Sequence, residues 1–333
     1  MNHKRIQNPN TVPETTLKEK QVPLGEQTAN QLNLHSKKAK KIKEWSLVER
    51  ALLMAELSMI SYLPLKQTEK AAKRLGFTET LFFDNDGSQA YSFSNDIDIV
   101  IAFRGTEPNE WNDIKADLDA AKALAETVGK VHRGFKKEVD DVWPLLEKML
   151  SANQKTLDKF LWFTGHSLGG AMAAICAGRC QLSAVKTYPE QLHTFGSPRV
   201  GTKRYINHAK IDYYRWVNNN DVVTRTPPAW MGYRHAGKEM YLDSNGILKE
   251  LNPIQRSADL WKGALAGLKK YEIDYFTDHL IDRYVEYIYQ SMLVLQSSSN
   301  EGALTNLDNL CRPQSLQEIT QKKAKREDQE RFY

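Results

Sequence analysis

Apolar residues recur at helical or strand spacing from about residue 42 to residue 297, and this pattern predicts a chain of alternating strands and helices. The first element is an amphipathic helix from about Ile42 that ends near Pro64, since proline cannot continue a helix. Strands interleaved with helices predict an α/β fold with a mainly parallel central sheet flanked by helices. The predicted strands lie at about 90–93, 97–103, 160–164, 192–195, 213–217 and 239–242, and the later helices at about 138–150, 168–182 and from 280 onward.

Both ends of the chain are polar and lack sustained periodicity. Residues 1–40 are rich in Asn, Gln, Thr, Pro and Lys, which predicts a disordered polar and basic extension. Residues 298–333 form a second charged tail. The pattern therefore predicts one folded domain over residues 41–297.

Composition fits a globular protein, with 41% hydrophobic and 26% charged residues, and excludes a wholly disordered chain. The formal net charge is +5, and much of the excess lies in the lysine-rich run 37–43. We interpret this run as a solvated face or tail rather than as a site for anionic lipid or nucleic acid. No nucleic-acid partner is therefore expected.

The three cysteines, Cys176, Cys180 and Cys311, predict neither a disulfide framework nor a metal site, because their count is odd and no His or Cys cluster has zinc spacing. The polar N-terminus lacks the apolar run of about 7–15 residues found in secretory signals. The most apolar segment, residues 51–63, is interrupted by Glu56 and is shorter than the roughly 20 residues that cross a bilayer. We expect no transmembrane helix, and a location that is cytoplasmic or reached by export without a cleavable signal peptide.

The segment Gly165-His166-Ser167-Leu168-Gly169-Gly170 supplies G-x-S-x-G between a predicted strand and a predicted helix. A sharp turn there strains the serine backbone and projects its Oγ above the sheet, and the flanking glycines leave room for strand and helix to approach. The alternative is a glycine-rich turn with an idle serine. The strand-turn-helix setting favours a nucleophile elbow, with Ser167 as the nucleophile.

A serine nucleophile needs a histidine base and a carboxylate that orients the imidazole. In α/β hydrolases these follow the serine in the order Asp or Glu, then His. Asp221 fits because it follows the strand 213–217, and His279 fits because it precedes the last helix. We interpret the competing histidines, His193, His208 and His235, as structural residues.

Acyl transfer also needs backbone donors for the developing oxyanion. The strand 97–103 delivers Arg104-Gly105-Thr106 at its end. The amide of Thr106 is the first predicted donor, and the amide of Leu168, directly after the nucleophile, is the second.

These motifs together resemble the class 3 lipase family over roughly residues 45–295. The resemblance implies an α/β-hydrolase fold and hydrolysis of carboxylic esters in lipid-like substrates, and the serine mechanism requires no metal or organic cofactor. The resembling segments, in the family's order, are 101–106, Trp111 with Asp113, 131–135, 165–170, 194–201, 219–223 and 278–279.

In this family the segment after the oxyanion strand often acts as a lid, which here would be about residues 107–124. A second segment, 258–270, has the pattern of a basic amphipathic helix, which would either lie in a lipid interface or pack in the core. For the first segment, too, ordinary core packing is the alternative. The candidate lid and lipid-contact residues are Trp111, Ile114, Leu118 and Trp261.

The expected function is therefore that of an acylglycerol lipase or esterase, with a lipid ester as substrate and peripheral contact with a membrane or lipid interface. A phospholipase A1 or an acyltransferase would use the same triad, and a membrane-active lipase effector is a further alternative. A catalytically silent, lipase-like binding protein is the alternative from a different class. The sequence leaves the oligomeric state open.

Overall fold

Strands and helices alternate along the computed structural model, which describes residues 24–36, 41–106, 121–152, 159–180, 188–208, 211–249 and 277–300. The strands are β1 (Glu79–Asn85), β2 (Ser88–Ser94), β3 (Asp98–Phe103), β4 (Lys122–Leu124), β5 (Lys130–His132), β6 (Phe160–His166), β7 (Gln191–Phe195), β8 (Gly201–Thr202), β9 (Tyr213–Asn218), β10 (Tyr233–Arg234), β11 (Lys238–Leu242) and β12 (Leu248–Lys249). The helices are α1 (Leu47–Ile60), α2 (Leu65–Arg74), α3 (Arg133–Ala152), α4 (Leu168–Cys180), α5 (Lys203–His208) and α6 (Ile281–Asn300).

Among the described residues, eight strands form a central sheet in the order β1-β2-β3-β6-β7-β9-β11-β12. The five strands from β3 to β11 run parallel, while β1 and β2 at one end and β12 at the other are antiparallel. The predicted α/β fold with a parallel centre is confirmed, and the antiparallel ends make the sheet mixed. Because the carboxyl ends of parallel strands share one edge, the loops after β3, β6, β7 and β9 meet there.

Helices cover both faces of this sheet. On one face α1, α2 and α6 pack with alternate strand residues such as Val100 and Trp162, and on the other α3 and α4 pack with Ile101 and Phe163. All six residues of β3 are buried, as expected for a strand covered on both sides. A smaller sheet, in the order β10-β8-β5-β4, consists of strands of two or three residues. These strands were not predicted, since so few residues carry no measurable periodicity.

Residues 24–36 pack against the helices, whereas the sequence pattern predicted a disordered extension as far as residue 40. Ala29 and Leu32 are buried, and the guanidinium of Arg74 in α2 donates to the carbonyl oxygens of both. The ring of His35 stacks on Tyr289 of α6 at a centroid distance of 3.8 Å. Residues on distant helices therefore hold this segment in place. The sequence pattern did not predict this packing, because two apolar residues among polar ones give no periodic signal.

The same segment covers Glu56, a fully buried acidic residue of α1. The backbone amides of His35 and Ser36 donate to this carboxylate, the second at 3.2 Å to Oε2. Burial raises the pKa of Glu56 from 4.5 to about 7, although these hydrogen bonds and the charge of Arg74 act in the opposite direction. A buried acid therefore lies directly under the N-terminal segment.

Glu56 is expected to make the folded state less stable as the pH rises from about 4.5 to 7. The folded state binds this proton more tightly than the unfolded state does, so the contribution is complete below pH 4.5 and is lost as the pH rises through 7. The full loss is about 3 kcal/mol. Glu56→Gln removes the ionisation, so its melting temperature at pH 8 should be at least that of the wild type, with a flatter dependence on pH.

The measurement is thermal unfolding followed between pH 5 and pH 8, with Glu147→Gln in α3 as the control. The control should keep the wild-type pH dependence. If Glu56→Gln and the wild type showed the same pH dependence, the carboxyl of residue 56 would not carry this effect.

No helix in the described part of the chain is both long enough and apolar enough to cross a membrane.

Candidate active site

The segment that was predicted to be a nucleophile elbow forms a tight turn between β6, which ends at His166, and α4, which begins at Leu168. Ser167 lies in this turn with φ of 57°, a left-handed conformation that is rare for residues other than glycine. Its backbone amide donates to the carbonyl oxygen of Phe195 at 2.9 Å. A Cβ atom on Gly169 would collide with the carbonyl oxygen of Phe103, so a glycine is required where α4 crosses β3. Close packing therefore holds the strained serine in place.

Ser167, His279 and Asp221 form a continuous hydrogen-bonded chain. His279 Nε2 lies 2.9 Å from Ser167 Oγ, and His279 Nδ1 lies 2.9 Å from Asp221 Oδ2. The three residues are 1%, 2% and 0% exposed, so water competes little with these bonds. The structure thus brings together the three side chains that the sequence nominated, across as many as 112 positions of the chain.

The carboxylate of Asp221 accepts two further hydrogen bonds. The hydroxyl of Tyr284 in α6 donates to Oδ2 at 2.6 Å, and the amide of Val223 donates to Oδ1 at 2.9 Å. The Tyr284 oxygen in turn accepts from the amide of Asn218 at 3.0 Å. Burial, together with the charge of Asp221, raises the pKa of Tyr284 well above its usual value, so the phenol remains a donor. Sequence analysis assigned no role to Tyr284, which lies within the last predicted helix.

Tyr284→Phe is expected to lower kcat/KM for a soluble ester roughly ten-fold, because without this donor the Asp221 carboxylate holds His279 less firmly in line with Ser167, and a misplaced catalytic group lowers the rate. Loss of this donor makes the Asp221 carboxylate a stronger partner for protonated His279. The acid limb of the pH profile should therefore move to higher pH.

The control for this prediction is Tyr287→Phe on the same helix. It should leave the pH profile in place. A Tyr284→Phe profile that superimposes on that of the wild type would mean that the phenol only fills space.

His166, the second residue of the elbow, forms a hydrogen bond with the backbone of His279. Its Nε2 donates to the carbonyl oxygen of His279 at 2.6 Å, and its Nδ1 accepts from the Tyr62 hydroxyl at 2.9 Å. Burial, and then the proximity of His279, lower the pKa of His166 well below its usual value, so the ring is neutral. These partners assign the proton to Nε2. Tyr62 had no sequence signal, because it is separated from His166 by 104 positions.

Asp278 connects the turn that contains His279 with the loop that contains Asp221. Its Oδ2 accepts from the Asn219 side chain at 3.0 Å and from the Asn220 amide at 3.2 Å. The Asn218 side chain donates to the Asp278 carbonyl oxygen at 2.9 Å. Burial raises the pKa of the Asp278 carboxyl. The three asparagines before Asp221 therefore bind the turn that carries His279.

Gly196 follows β7 directly, and its lack of a side chain lets the loop after β7 pass close to Asp221 and His279. Its φ is 61°, and a Cβ atom there would lie 2.7 Å from Asp221 Oδ2 and 2.8 Å from His279 Nδ1. Any larger residue would displace the acid or the base.

The predicted oxyanion segment lies against the elbow. A Cβ atom on Gly105 would lie 2.6 Å from the His166 carbonyl oxygen and 3.3 Å from Ser167 Cβ, so the loop after β3 lies close to Ser167. Thr106 follows directly and is half-buried, and Leu168 begins α4. The candidate lid and lipid-contact residues Trp111, Ile114, Leu118 and Trp261 lie outside the described residues.

The other candidate histidines take no part in this chain of bonds. His193 is buried in β7, where burial lowers its pKa to about 3, and its ring stacks on Tyr214. The Nε2 of His235 donates to the Thr224 carbonyl oxygen at 2.7 Å, and His208 ends α5. Within the described residues, no group of three or more His, Cys, Asp or Glu side chains could hold a metal ion.

Comparison with known proteins places this geometry in context. Residues 100–231 match the family model of Lipase (class 3). The chain is 34% identical over 178 residues to a lipase of Rhizomucor miehei, covering 50% of this chain and 47% of the relative. It is 32% identical over 191 residues to Toxin TseL of Vibrio cholerae, covering 44% of this chain and 29% of the relative. It thus spans less than half the length of these two relatives.

Among solved structures, the chain resembles a triacylglycerol lipase whose catalytic centre is described as a serine protease triad. The TM-score is 0.52 at 26% identity, with 63% of this chain and 87% of that chain covered. This likeness supports the α/β-hydrolase fold.

Proposed function

We propose that this chain, whose residues 100–231 match the family model of Lipase (class 3), is a serine hydrolase that cleaves carboxylic esters of lipids. The observation that carries the proposal is the pair of buried hydrogen bonds, each 2.9 Å long, that connect Ser167 to His279 and His279 to Asp221. Such a chain converts an unreactive alcohol into a nucleophile.

In the proposed reaction, His279 Nε2 takes the proton of Ser167 as Oγ attacks the ester carbonyl carbon. The amides of Thr106 and Leu168 donate to the oxygen that becomes negative, and the N-terminus of α4 adds its dipole. Protonated His279 then gives its proton to the leaving alcohol, which leaves an acyl group on Ser167. Water, deprotonated by the same imidazole, attacks the acyl-enzyme carbonyl, and protonated His279 returns its proton to Ser167 Oγ as the fatty acid leaves.

Asp221 would stabilise the positive charge that His279 acquires in each step. Its carboxylate is held by Tyr284 and by the Val223 amide, at 2.6 Å and 2.9 Å, so it need not reorganise as charge develops. Holding His279 Nδ1–H in place also leaves Nε2 free to accept the serine proton.

Acylglycerols are the proposed substrate class, with peripheral contact between the enzyme and a lipid interface. Relatives of this chain are named as lipases and as mono- and diacylglycerol lipases. The resemblance to a relative named as a toxin, Toxin TseL, favours a second candidate, a membrane-active lipase effector that uses the same residues.

A substrate panel tests the function and separates these candidates. The panel contains tri-, di- and monoacylglycerols, phosphatidylcholine and a short p-nitrophenyl ester, and the blank is the same protein inactivated with a fluorophosphonate. Fatty acid released from acylglycerols supports the lipase, and release mainly from phosphatidylcholine supports the effector. Folded protein that cleaves none of these esters above the blank would overturn the proposal.

A further inference from the structure

The loop between β9 and β10 carries an exposed tryptophan, Trp230, near its end. The side chain of Trp230 is 84% exposed, the highest value among the large hydrophobic residues that the structure describes. Trp230 lies in a short 3-10 turn, Ala229–Met231, that directly precedes β10. Transfer of the Trp230 ring from water into an apolar or interfacial environment would be favourable.

Hydrogen bonds from two arginines fix the backbone that leads into this tryptophan. The Arg199 guanidinium donates to the Pro227 carbonyl oxygen at 3.0 Å, and the Arg234 guanidinium donates to the Ala229 carbonyl oxygen at 2.5 Å. Gly232 closes the turn with φ of 84°. Trp230 is therefore presented from a fixed loop.

Two cations lie on the same loop as the tryptophan, and a third lies on β4. Arg225 and Arg234 are exposed, and Lys122 Nζ lies 4.8 Å from the centre of the Tyr233 ring. Residues 222–235 contain no Asp or Glu. Over the ranges that the structure describes, no acidic side chain forms an ion pair with Arg225, Arg234 or Lys122. We call Trp230 with these three cations the tryptophan tip.

The tryptophan tip lies at the same edge of the sheet as Ser167. Its loop begins with Asp221 at the carboxyl end of β9, and Arg225 donates to the side chain of Asn220 at 3.2 Å. On the other side, the Tyr233 hydroxyl donates to the Ala121 carbonyl oxygen at 3.2 Å, where the described chain resumes after Thr106. A surface that binds the tip would therefore face the proposed catalytic edge.

We propose that the tryptophan tip docks on the surface of an anionic phospholipid bilayer. The indole would enter the interface, where tryptophan is favoured because one side of the ring is apolar and the N–H is polar. The three cations would meet headgroup phosphates, each strengthening binding about five-fold. The inference rests on the proposed function, since it names the surface on which that site works.

A second copy of this chain is a poorer occupant. In a two-fold pair the same patch meets itself, so the three cations of one tip would face the three of the other. Charge complementarity therefore favours an anionic lipid surface.

Vesicle sedimentation tests the proposal, in a Ser167→Ala background so that binding is measured without lipid turnover. We expect binding to vesicles of phosphatidylcholine mixed with phosphatidylglycerol, and Trp230→Ala should weaken it about ten-fold or more. Lys122→Gln with Arg225→Gln should reduce binding to these vesicles and leave the weak binding to pure phosphatidylcholine unchanged. Leu145→Ala, at a leucine exposed on α3, is the matched control.

Three outcomes would overturn the docking proposal. These are equal binding by Trp230→Ala and Leu145→Ala, equal binding of both vesicle types, and self-association without lipid that Trp230→Ala abolishes. Hydrolysis of the soluble p-nitrophenyl ester by the wild type reports on the proposed function separately. Vesicle binding without any ester hydrolysis would reject the proposed function. Hydrolysis without vesicle binding would reject only the proposal that the tryptophan tip docks on a bilayer.

Discussion

Ser167→Ala is expected to lower kcat for a soluble ester by about 10⁵–10⁶-fold, since removing the nucleophile of a triad costs as much as removing the whole triad. The substitution deletes Ser167 Oγ, which lies 2.9 Å from His279 Nε2, and leaves the rest of the elbow in place. Alanine keeps the Cβ atom, so the strained backbone at φ of 57° is not relieved. The melting temperature should therefore stay close to that of the wild type.

Ser291→Ala in α6 controls for the loss of a buried serine hydroxyl. Its Oγ donates to the Gly246 carbonyl oxygen and lies outside the triad. This variant should lose stability and keep its turnover. Turnover by Ser167→Ala clearly above the fluorophosphonate-treated blank would reject Ser167 as the nucleophile.

Asp221→Asn is expected to lower kcat by about 10⁴-fold. Asp221 Oδ2 accepts from both His279 and Tyr284, and Oδ1 accepts from the Val223 amide. An amide has only one oxygen, so its NH₂ group must face either Val223 or the other two donors. A donor facing His279 Nδ1 favours the tautomer with the proton on Nε2, which cannot accept the serine proton.

Steady-state kinetics across the pH range checks this expectation, with Asp243→Asn as the control. Asp243 is also buried, and its Oδ1 accepts from the amides of Asn245 and Ile247. An equal loss of rate in both variants would point to general destabilisation. Near wild-type rates in Asp221→Asn would remove the carboxylate from the mechanism.

The fold and the triad geometry followed from signals that are local in the chain. The elbow was predicted because Gly165 and Gly169 flank a serine between an apolar strand and a small-residue helix, and in the structure Gly169 is the residue that lets helix and strand touch. The acid and the base were predicted from their order and from their positions at strand and helix ends. Parallel strands then bring these ends to one edge.

The groups that hold the triad could not be predicted, because they act through contacts between distant elements. Tyr284 and Tyr62 were indistinguishable from core tyrosines until packing placed their hydroxyls on Asp221 and His166. The packing of residues 24–36 could not be predicted for the same reason, since it depends on hydrogen bonds with Arg74 and Glu56 in the helices. Hydrogen bonds of this kind leave no periodic pattern.

The most direct measurement of the central claim is the rate and position of covalent labelling by a fluorophosphonate, followed by intact mass and peptide mapping. The account predicts one adduct per chain, on Ser167, with a labelling rate that falls by orders of magnitude in His279→Ala. An adduct on another residue, or none on folded wild-type protein, would contradict it.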